Sequence, residues 1–306
     1  MTPNAKPYIK WAGGKGRLLK ILESQLPSDF DSYKNVTYIE PFVGGGAMLF
    51  NILSTHTNIS SVVINDINKD LMRCYSLVKD YPQTLIDLLT PIEQKYIAYS
   101  EKERRNFFYE IRDEYNNNSL DDNQRAAYFL FLNQTCFNGL YRENANGSFN
   151  VPFGRYKKPK ICNKDVILAD HRILSKVNIL CGDYKNILKH LSKGYNYIYL
   201  DPPYRPLLGS DNFKQYSKSG FGDPEQLELK NFCDILSDRG CKLMMSNSDS
   251  INEDGTSYFE TLYAGYAFDK VLASRFINAY AEKREKQKEV LIKNYHNSKE
   301  ILPQIP

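Results

Sequence analysis

Short apolar or β-branched runs recur along the chain, and polar residues follow each of them. The runs occupy residues 36–39, 62–64, 177–180, 195–200 and 242–245. Helical patterns lie between some of them, at residues 47–53 and 224–236. Short buried strands that alternate with helices predict an α/β sheet fold.

Acidic residues follow four of these runs, namely Glu40, Asp66, Asp183 and Asp201. Ligands of open α/β sheets bind beyond the carboxyl ends of the strands, so the four side chains are predicted to surround one crevice. An acidic residue also begins many ordinary turns, and one alone would carry no more meaning than that. Four in corresponding positions favour a shared site. Ser246 and Asn247 follow the last run in the same way.

Residues 74–164 follow a different pattern. Helices are predicted around residues 91–115 and 121–135, and a polar segment punctuated by glycine and proline comes after them. We expect this stretch to be an inserted, mainly helical domain, which leaves residues 1–73 and 165–306 as the catalytic domain. Residues 299–306 are predicted to be a frayed tail.

Composition restricts the classes of protein but does not choose among them. The 306 residues suffice for one substantial core, and a net charge of +4 is too small to indicate a polyanionic partner. The six cysteines form no C-x-x-C pair and no cluster with metal-ligand spacing. No apolar run approaches the roughly 18 residues of a membrane span, and no signal peptide is evident. We therefore expect a cytoplasmic protein without a metal or a membrane partner.

A glycine turn, Gly44-Gly45-Gly46, lies between the predicted strand 36–39 and the predicted helix 47–53. Glycine lets the backbone approach a ligand closely, although the spacing does not match the dinucleotide fingerprint and an isolated turn is a weak signal. Asp66 lies one strand later, where a carboxylate can accept hydrogen bonds from both hydroxyls of a ribose. The two features together predict a nucleoside cofactor.

The N-terminal segment contains Gly13-Gly14-Lys15, which lacks the spacing of a phosphate-binding loop because Gly16 and Arg17 follow the lysine. An NTPase is therefore disfavoured. Taken alone, Trp11 would be a partly buried core aromatic and Lys15 a solvated lysine.

The sharpest motif is Asp201-Pro202-Pro203-Tyr204, directly after the run 195–200. Its prolines fix the backbone and expose the carbonyls and the aromatic ring. Adenine N6 is a poor nucleophile because its lone pair is delocalised, so its methylation needs acceptors for both amino hydrogens as the nitrogen becomes tetrahedral. The Asp201 carboxylate and the Pro202 carbonyl can supply them, and Tyr204 can stack on an extrahelical base. A purely structural turn is the alternative.

Five segments, in this order, resemble the DNA adenine methyltransferases of the Dam type. They are KWAGGK (10–15), EPFVGGG (40–46), NDIN (65–68), GSFNVPFGRYKKP (147–159) and DPPY (201–204). The resemblance covers nearly the whole chain. It implies a Rossmann-like, S-adenosylmethionine-dependent methyltransferase sheet with an inserted helical DNA-recognition domain, which methylates N6 of a flipped adenine in double-stranded DNA, with GATC as the target.

The resemblance also implies the functional residues. It assigns cofactor binding to Trp11, Lys15, Phe42, Asp66, Asp183, Tyr184 and Asp201. It assigns catalysis to Asp201, Pro202 and Tyr204. Tyr184 stands where many relatives have phenylalanine, and we expect it to stack on the cofactor in the same way.

For DNA, the resemblance assigns residues by the part of the duplex that they contact. Guanine contacts are expected from Arg142 and Lys10, insertion at or beside the target base pair from Phe137, Asn138 and Leu140, a thymine methyl contact from Pro152, and phosphate contacts from Arg155, Lys157 and Lys158. An arginine paired with guanine O6 and N7 discriminates by about 1–3 kcal/mol. Phe137 departs from the tyrosine that is common at this position in GATC-specific relatives.

Two other functions remain alternatives. Related Pro-Pro-aromatic turns serve methylation of cytosine N4, RNA adenine or protein glutamine, but those enzymes have no reason to share the segment 137–159. A DNA-binding regulator without activity would have no reason to keep Asp66, Asp201 and Tyr204. The lysine- and glutamate-rich run 281–289 fits either a solvated hairpin tip or a second DNA contact. A cognate restriction endonuclease is a possible partner.

Overall fold

The computed structural model describes residues 5–117, 119–205, 221–273 and 287–297. Its strands are β1 (Val36–Glu40), β2 (Ile59–Asp66), β3 (Val177–Cys181), β4 (Tyr195–Leu200), β5 (Lys242–Ser248), β6 (Ala267–Ala273) and β7 (Gln287–Lys293). They form a seven-stranded sheet in the order β3-β2-β1-β4-β5-β7-β6. Together with the helices, this sheet confirms the predicted α/β fold class.

The pairing changes from parallel to antiparallel at β5. β1 pairs with β4 and β4 with β5 in parallel, with Ile39 opposite Ile198. β7 pairs antiparallel with both β5 and β6. Five of these strands were predicted, but β5 runs on through Ser246 and Asn247, so those two residues lie within the strand and not beyond its end.

β6 and β7 were not predicted, because charged residues interrupt their apolar pattern. Within the sheet, an ion pair between the two strands neutralises a buried charge. Lys293 of β7 is buried and pairs with Asp269 of β6, with 2.6 Å between Nζ and Oδ2. Such cross-strand pairing is invisible to an analysis of hydrophobic periodicity.

The α-helices are α1 (Leu19–Ser24), α2 (Ala47–Thr55), α3 (Lys69–Asp80), α4 (Pro82–Ala98), α5 (Glu101–Asn116), α6 (Asp122–Thr135), α7 (Lys164–Leu174), α8 (Asp223–Asp238) and α9 (Tyr258–Leu262). Short 3-10 helices occupy Phe30–Ser32, Phe137–Gly139 and Tyr184–His190. The helical patterns at 47–53, 121–135 and 224–236 correspond to α2, α6 and α8.

The prediction of a single helix around residues 91–115 is wrong, because this region contains parts of both α4 and α5. α4 begins at Pro82, where the fixed φ of proline suits the first turn, and it continues through Pro91. A capping box then starts α5: the Glu103 N–H donates to Ser100 Oγ at 3.4 Å, and the Ser100 N–H donates to Glu103 Oε2 at 2.8 Å.

The chain divides into two compact units. The first unit comprises Met1–Gly16, Val43–Thr57 and Ile64–Tyr184, and the second unit comprises Arg17–Phe42, Asn58–Val63 and Lys185–Pro306. The division predicted from the sequence, with residues 74–164 inserted into a catalytic domain, stays a prediction.

A buried carboxylate joins three helices of the first unit. Asp70 on α3 accepts two hydrogen bonds from Arg125 on α6, at 2.7 and 3.0 Å, and one from the Tyr115 hydroxyl on α5. Burial raises the pKa of Asp70, but the hydrogen bonds from Arg125, Tyr115 and Arg73 outweigh it and leave that pKa below its ordinary value. The charge is therefore retained and ties the helices together.

Tyrosines with bonded hydroxyls occupy the core of the second unit. The Tyr38 hydroxyl donates to Glu40 Oε2 at 2.7 Å, and the Tyr199 hydroxyl shares a hydrogen bond of 2.9 Å with Ser246 Oγ. Both rings are buried. These bonds let large aromatic rings pack near strand ends without leaving a polar atom unsatisfied.

Within the described ranges, no helix is long and apolar enough to cross a membrane, and no group of three or more His, Cys, Asp or Glu could hold a metal ion. All six cysteines are free thiols. The predicted tail at 299–306 and residues 281–286 of the charged run lie outside the described residues.

The N-terminal segment of the first unit is held by a buried acid on α7. Asp170 is fully buried, and its Oδ1 accepts the Lys6 N–H at 3.0 Å. Its Oδ2 has no hydrogen-bond partner among the described residues. Burial raises the pKa of Asp170 to about 8, against the opposing effect of the Lys6 N–H. Asp170 is therefore mostly protonated in the folded chain at neutral pH.

We predict that Asp170→Asn removes a pH dependence of stability. A folded-state pKa raised to about 8 over an ordinary value of 3.8 means that the folded chain holds the proton more tightly. The contribution of Asp170 to stability is then fully present below about pH 4 and is lost as pH rises to about 8, by about 1.4 kcal/mol per pH unit at most. The variant keeps the acceptor for Lys6 and should unfold at a higher temperature than the wild type at pH 8.5, with a smaller difference at pH 5.5.

The control is Asp165→Asn, which changes an exposed carboxylate on the same helix. Thermal unfolding of the three proteins at the two pH values gives the comparison. Identical pH profiles for the wild type and Asp170→Asn would contradict the assignment.

Candidate functional site

The glycine turn of the first unit packs against Trp11. A Cβ atom at Gly44 would lie 2.8 Å from Cδ1 of Trp11, and one at Gly45 would lie 3.2 Å from its Cβ. Gly44 also has a φ of +48°, which glycine adopts readily. The half-buried indole stacks on Tyr141, with ring centroids 5.5 Å apart. Two glycines of the turn thus lie close to a side chain that is itself expected to line the cofactor site, and Gly46 lies close to the Tyr75 hydroxyl.

Asp66 ends β2 beside this turn. Its Oδ2 accepts the Gly44 N–H at 3.1 Å, and its Oδ1 accepts the Asn68 N–H at 3.0 Å. Burial raises the pKa of Asp66, and the N–H groups of Asn68 and Gly44 oppose the rise. The carboxylate is therefore fixed in orientation by backbone N–H groups.

The turn after β3 meets the end of β2. The Gly182 N–H donates to the Asp66 carbonyl at 3.0 Å, and Asn65 Nδ2 donates to the Gly182 carbonyl at 2.9 Å. Asp183, the next residue, is exposed. The structure thus brings Asp66 and Asp183 to neighbouring strand ends, and the sequence analysis missed Asn65 as the side chain that joins them.

Two other predicted cofactor residues of the first unit are buried. Tyr184 is buried at the start of its 3-10 helix. Lys15 is only 4% exposed, and its Nζ donates to the Gly13 carbonyl at 3.0 Å. The alternative of a solvated lysine is therefore wrong for Lys15.

In the second unit, hydrogen bonds from outside the motif hold the Asp201–Tyr204 turn. Buried Gln226 donates to the Pro203 carbonyl at 3.1 Å. Tyr204 donates its hydroxyl to Glu289 Oε2 at 2.9 Å. Sequence patterns gave Gln226 no role. They placed Glu289 in a run expected to be a solvated hairpin tip or a DNA contact, which is wrong for Glu289 because it is buried within β7.

Arg205, the residue after the motif, is held through both its backbone and its side chain. Its N–H donates to Asn247 Oδ1 at 3.2 Å, and its carbonyl accepts from Ser248 Oγ. Its guanidinium binds both oxygens of Asp223, at 2.8 and 3.3 Å, and lies 4.0 Å from the centroid of the Tyr258 ring. The end of the turn is therefore fixed to β5 and α8.

Parallel pairing of β1 with β4 brings Glu40 and Asp201 to the same edge of the sheet in the second unit. Glu40 is buried there and Asp201 is half-buried. Phe42 follows, with its ring edge-on to Phe221 at 6.1 Å. The four strand-end acids thus form two pairs, one in each unit, and a single crevice for all four stays a prediction.

The segment with the predicted DNA contacts is an antiparallel hairpin of the first unit. Isolated bridges join Cys136 to Phe153 and Glu143 to Phe149. The Phe137 N–H donates to the Pro152 carbonyl at 2.8 Å. The side chains of Phe137 and Pro152 are exposed, so both are accessible from solvent.

Asn133 fixes this hairpin to the N-terminal segment. Its Oδ1 accepts the Lys10 N–H at 2.9 Å, and its Nδ2 donates to the carbonyls of Lys10 at 2.7 Å and Gly139 at 3.2 Å. A Cβ at Gly139 would lie 2.3 Å from Cδ of Lys10. A buried asparagine, which the sequence analysis missed, therefore holds Lys10 against the turn that carries the predicted base contacts.

Arg142 is oriented by the opposite arm of the hairpin. Its Nε donates to Asn150 Oδ1 at 2.7 Å, and the Asn150 N–H donates back to the Arg142 carbonyl at 3.0 Å. Arg142 is exposed. A second, longer bond runs from the Nη2 amino group to the Asn150 carbonyl at 3.5 Å, so Asn150 fixes the plane of the guanidinium.

Two residues other than glycine adopt a left-handed backbone in the described ranges, Asn138 with φ of 55° and Arg155 with φ of 59°. Both were predicted to contact DNA. Asparagine tolerates this conformation, whereas arginine pays about 1 kcal/mol for it. Strained backbone concentrates at functional sites, which favours a role for Arg155 beyond the surface charge that Lys157 and Lys158 also provide.

The α/β sheet, with its glycine turn and its anchored Asp-Pro-Pro-Tyr turn, defines a methyltransferase that acts on a planar amino nitrogen. The model of the D12 class N6 adenine-specific DNA methyltransferase family matches residues 11–278, and the chain belongs to this family. DNA is therefore its substrate, and the predicted family is confirmed.

Named relatives agree with this assignment. Type II methyltransferase M.MjaIII of Methanocaldococcus jannaschii is 42% identical over 293 residues, which cover 95% of this chain and 99% of that protein. The DNA adenine methylase of Vibrio cholerae is 32% identical over 287 residues, covering 94% and 95% of the two chains. That of Escherichia coli K12 is 33% identical over 250 residues, covering 80% and 82%.

We predict that Arg155→Gly stabilises the protein and weakens its DNA binding. Glycine relieves the left-handed strain and should raise the unfolding midpoint by roughly 2 °C. Loss of the guanidinium should lower affinity to a similar degree for all sequences and reduce the slope of log K against log salt by about one.

Arg155→Ala is the matched variant, since it removes the same charge and keeps the strain. Thermal unfolding and DNA titrations at several salt concentrations distinguish the two substitutions. Unchanged DNA affinity in both variants would contradict a phosphate contact, and equal stability of both would contradict the strain.

Proposed function

We propose that the chain transfers a methyl group from S-adenosylmethionine to N6 of an adenine flipped out of double-stranded DNA, in the sequence GATC. The observation that carries this proposal is the immobilised Asp201–Tyr204 turn in a member of an adenine-specific family. Adenine N6 methylation needs acceptors that are in place before the reaction, and this turn has such acceptors on a fixed backbone.

The residues of the first unit fit an adenosyl cofactor. Asp66 has a carboxylate of fixed orientation at the end of β2, a group that can accept hydrogen bonds from the two hydroxyls of a ribose. Trp11, held by the glycine turn, and Tyr184 supply aromatic surface, and Asp183 adds a second carboxylate. S-adenosylmethionine, when bound, supplies an electrophilic methyl group on a sulfonium sulfur.

The chemistry of the second unit follows from the acceptors of the turn. As adenine N6 becomes tetrahedral, its two amino hydrogens need partners, and Asp201 Oδ and the Pro202 carbonyl take these roles. Positive charge develops on the nitrogen, so a carboxylate beside it stabilises the transition state more than the ground state. No base has to remove a proton first, and one N6 proton passes to solvent after the nitrogen–carbon bond has formed and the carbon–sulfur bond has broken.

Base flipping gives the turn access to N6. An adenine stacked in a duplex is inaccessible, and extrusion costs a few kcal/mol of stacking and pairing. The ring of Tyr204 offers a face that replaces part of the lost stacking. Phe137, Asn138 and Leu140, on the hairpin of the first unit, are proposed to occupy the space around the disrupted base pair.

GATC recognition is proposed to come from the same hairpin. Arg142, whose guanidinium is oriented by Asn150, is proposed to pair with guanine O6 and N7. Lys10 is proposed to contact a second guanine and Pro152 a thymine methyl group. Arg155, Lys157 and Lys158 then provide affinity without sequence information.

A restriction endonuclease that recognises the same site is proposed as a functional partner. The relative M.MjaIII carries the name type II methyltransferase, which is the naming of restriction-modification enzymes.

We predict that Asp201→Ala lowers single-turnover methylation by at least about a hundredfold, because it removes the acceptor beside the reacting nitrogen. DNA binding should persist. Asp201→Asn keeps one acceptor oxygen but not the charge, and should fall between the wild type and Asp201→Ala. Asp238→Ala, an exposed carboxylate on α8, is the control and should retain full activity. Near wild-type turnover in Asp201→Ala would overturn the mechanism.

We predict that plasmid DNA from a methylation-deficient host expressing this chain resists an endonuclease blocked by GATC adenine methylation and is cut by one that requires it. Arg142→Ala should lose discrimination at guanine by about tenfold or more, with a smaller loss of affinity. Near-cognate sites should then be methylated relatively better. N6-methyladenine in a different sequence motif would leave the catalytic proposal intact and contradict the assignment of specificity to the hairpin.

A further inference from the structure

Tyr204 is held at both ends. Its backbone lies between the Pro203 carbonyl, bonded by Gln226, and the Arg205 N–H, bonded to Asn247. Its hydroxyl donates to Glu289 Oε2 at 2.9 Å. A tyrosine side chain has two rotatable bonds, so fixing the backbone and the hydroxyl leaves the ring a single orientation.

Glu289 is itself in a fixed position. It lies on β7, where its backbone pairs with Ser248 of β5 on one side and with Val271 of β6 on the other. Its side chain is only 3% exposed. Strands paired on both sides move little, so the carboxylate is a rigid acceptor for the hydroxyl.

The buried carboxylate of Glu289 has a cost in folding free energy that an apolar residue at this position would not have. Removing a carboxylate from water costs several kcal/mol unless hydrogen bonds compensate. An apolar residue would satisfy the strand equally well, because its neighbours Val290, Leu291 and Ile292 are apolar and buried. The bond to Tyr204 gives the carboxylate a specific partner in the catalytic motif.

We propose that Glu289 is a positioning residue for the target base, which holds the Tyr204 ring in the orientation on which an extrahelical adenine stacks. This inference rests on the proposed function, since it assigns Glu289 to the same catalytic turn. Burial, together with the nearby Asp201 and Glu289 carboxylates, raises the pKa of Tyr204, so the hydroxyl stays protonated and remains a donor. Glu289 acts through the hydroxyl and does not contact the base.

The test is a double-mutant cycle between Glu289 and the Tyr204 hydroxyl. Glu289→Met removes the acceptor with little change in volume, Glu289→Gln keeps an acceptor oxygen, and Tyr204→Phe removes only the donor. 2-Aminopurine fluorescence at the target position measures base extrusion, and single-turnover methylation measures the reaction.

Under the proposal, Glu289→Met and Tyr204→Phe reduce the fluorescence increase and the methylation rate to a similar extent, by about tenfold, the effect of one hydrogen bond. Glu289→Met adds nothing in the Tyr204→Phe background, and Glu289→Gln restores most of the rate. Tyr266→Phe is the matched control, because it also removes a phenol hydroxyl that donates to a carboxylate, that of Asp234 at 3.0 Å. It should lower thermal stability and leave base extrusion unchanged.

Equal losses from Glu289→Met in the wild-type and Tyr204→Phe backgrounds would overturn the proposal, as would wild-type behaviour of Tyr204→Phe. Crystal structures of the DNA-free Glu289→Met and wild-type proteins give a test that needs no activity. A displaced Tyr204 ring in the variant supports the proposal, and an unchanged ring contradicts it. If the wild-type chain methylates no DNA, the proposed function fails, and the crystal structures still test the role of Glu289.

Discussion

The carbonyls and the ring of the Asp201–Tyr204 turn have to be in place before a substrate arrives, and bonds from distant parts of the second unit hold them there. Gln226 on α8 binds the Pro203 carbonyl, Asn247 on β5 binds the next N–H, and Glu289 on β7 binds the tyrosine hydroxyl. The prolines restrict φ, but they do not fix the turn relative to the sheet. A preorganised acceptor stabilises developing positive charge without reorganising during the reaction, so the mechanism that we propose depends on these remote contacts.

The first unit shows the same principle at its strand ends. The Asp66 carboxylate is oriented by two backbone N–H groups, and the turn that supplies one of them can pack on Trp11 only because it lacks a Cβ atom at Gly44. Asn133 likewise joins Lys10 to the hairpin through a pair of reciprocal hydrogen bonds. In each case, neighbouring residues fix the orientation or the position of a group for which we propose a functional role.

The sequence could predict what is local. The five apolar runs became strands, and the DPPY and GGG segments form the turns that their prolines and glycines require. It could not predict partners that are distant along the chain, such as Glu289, which lies in a strand whose charged residues concealed its pattern. Nor could it anticipate Lys15, whose burial depends on tertiary packing and not on composition. The two helices that replaced the one predicted around residues 91–115 were visible in retrospect, because Ser100 and Glu103 form a capping box.

The most direct test of the central claim is the chemical identity of the methylated nucleoside. Purified protein is incubated with S-adenosylmethionine bearing a trideuterated methyl group and with double-stranded DNA, and the digested nucleosides are analysed by mass spectrometry. We expect trideuteromethyl label on N6 of deoxyadenosine and none on N4 of deoxycytidine. Label on deoxycytidine, or unlabelled DNA with active cofactor and folded protein, would contradict it.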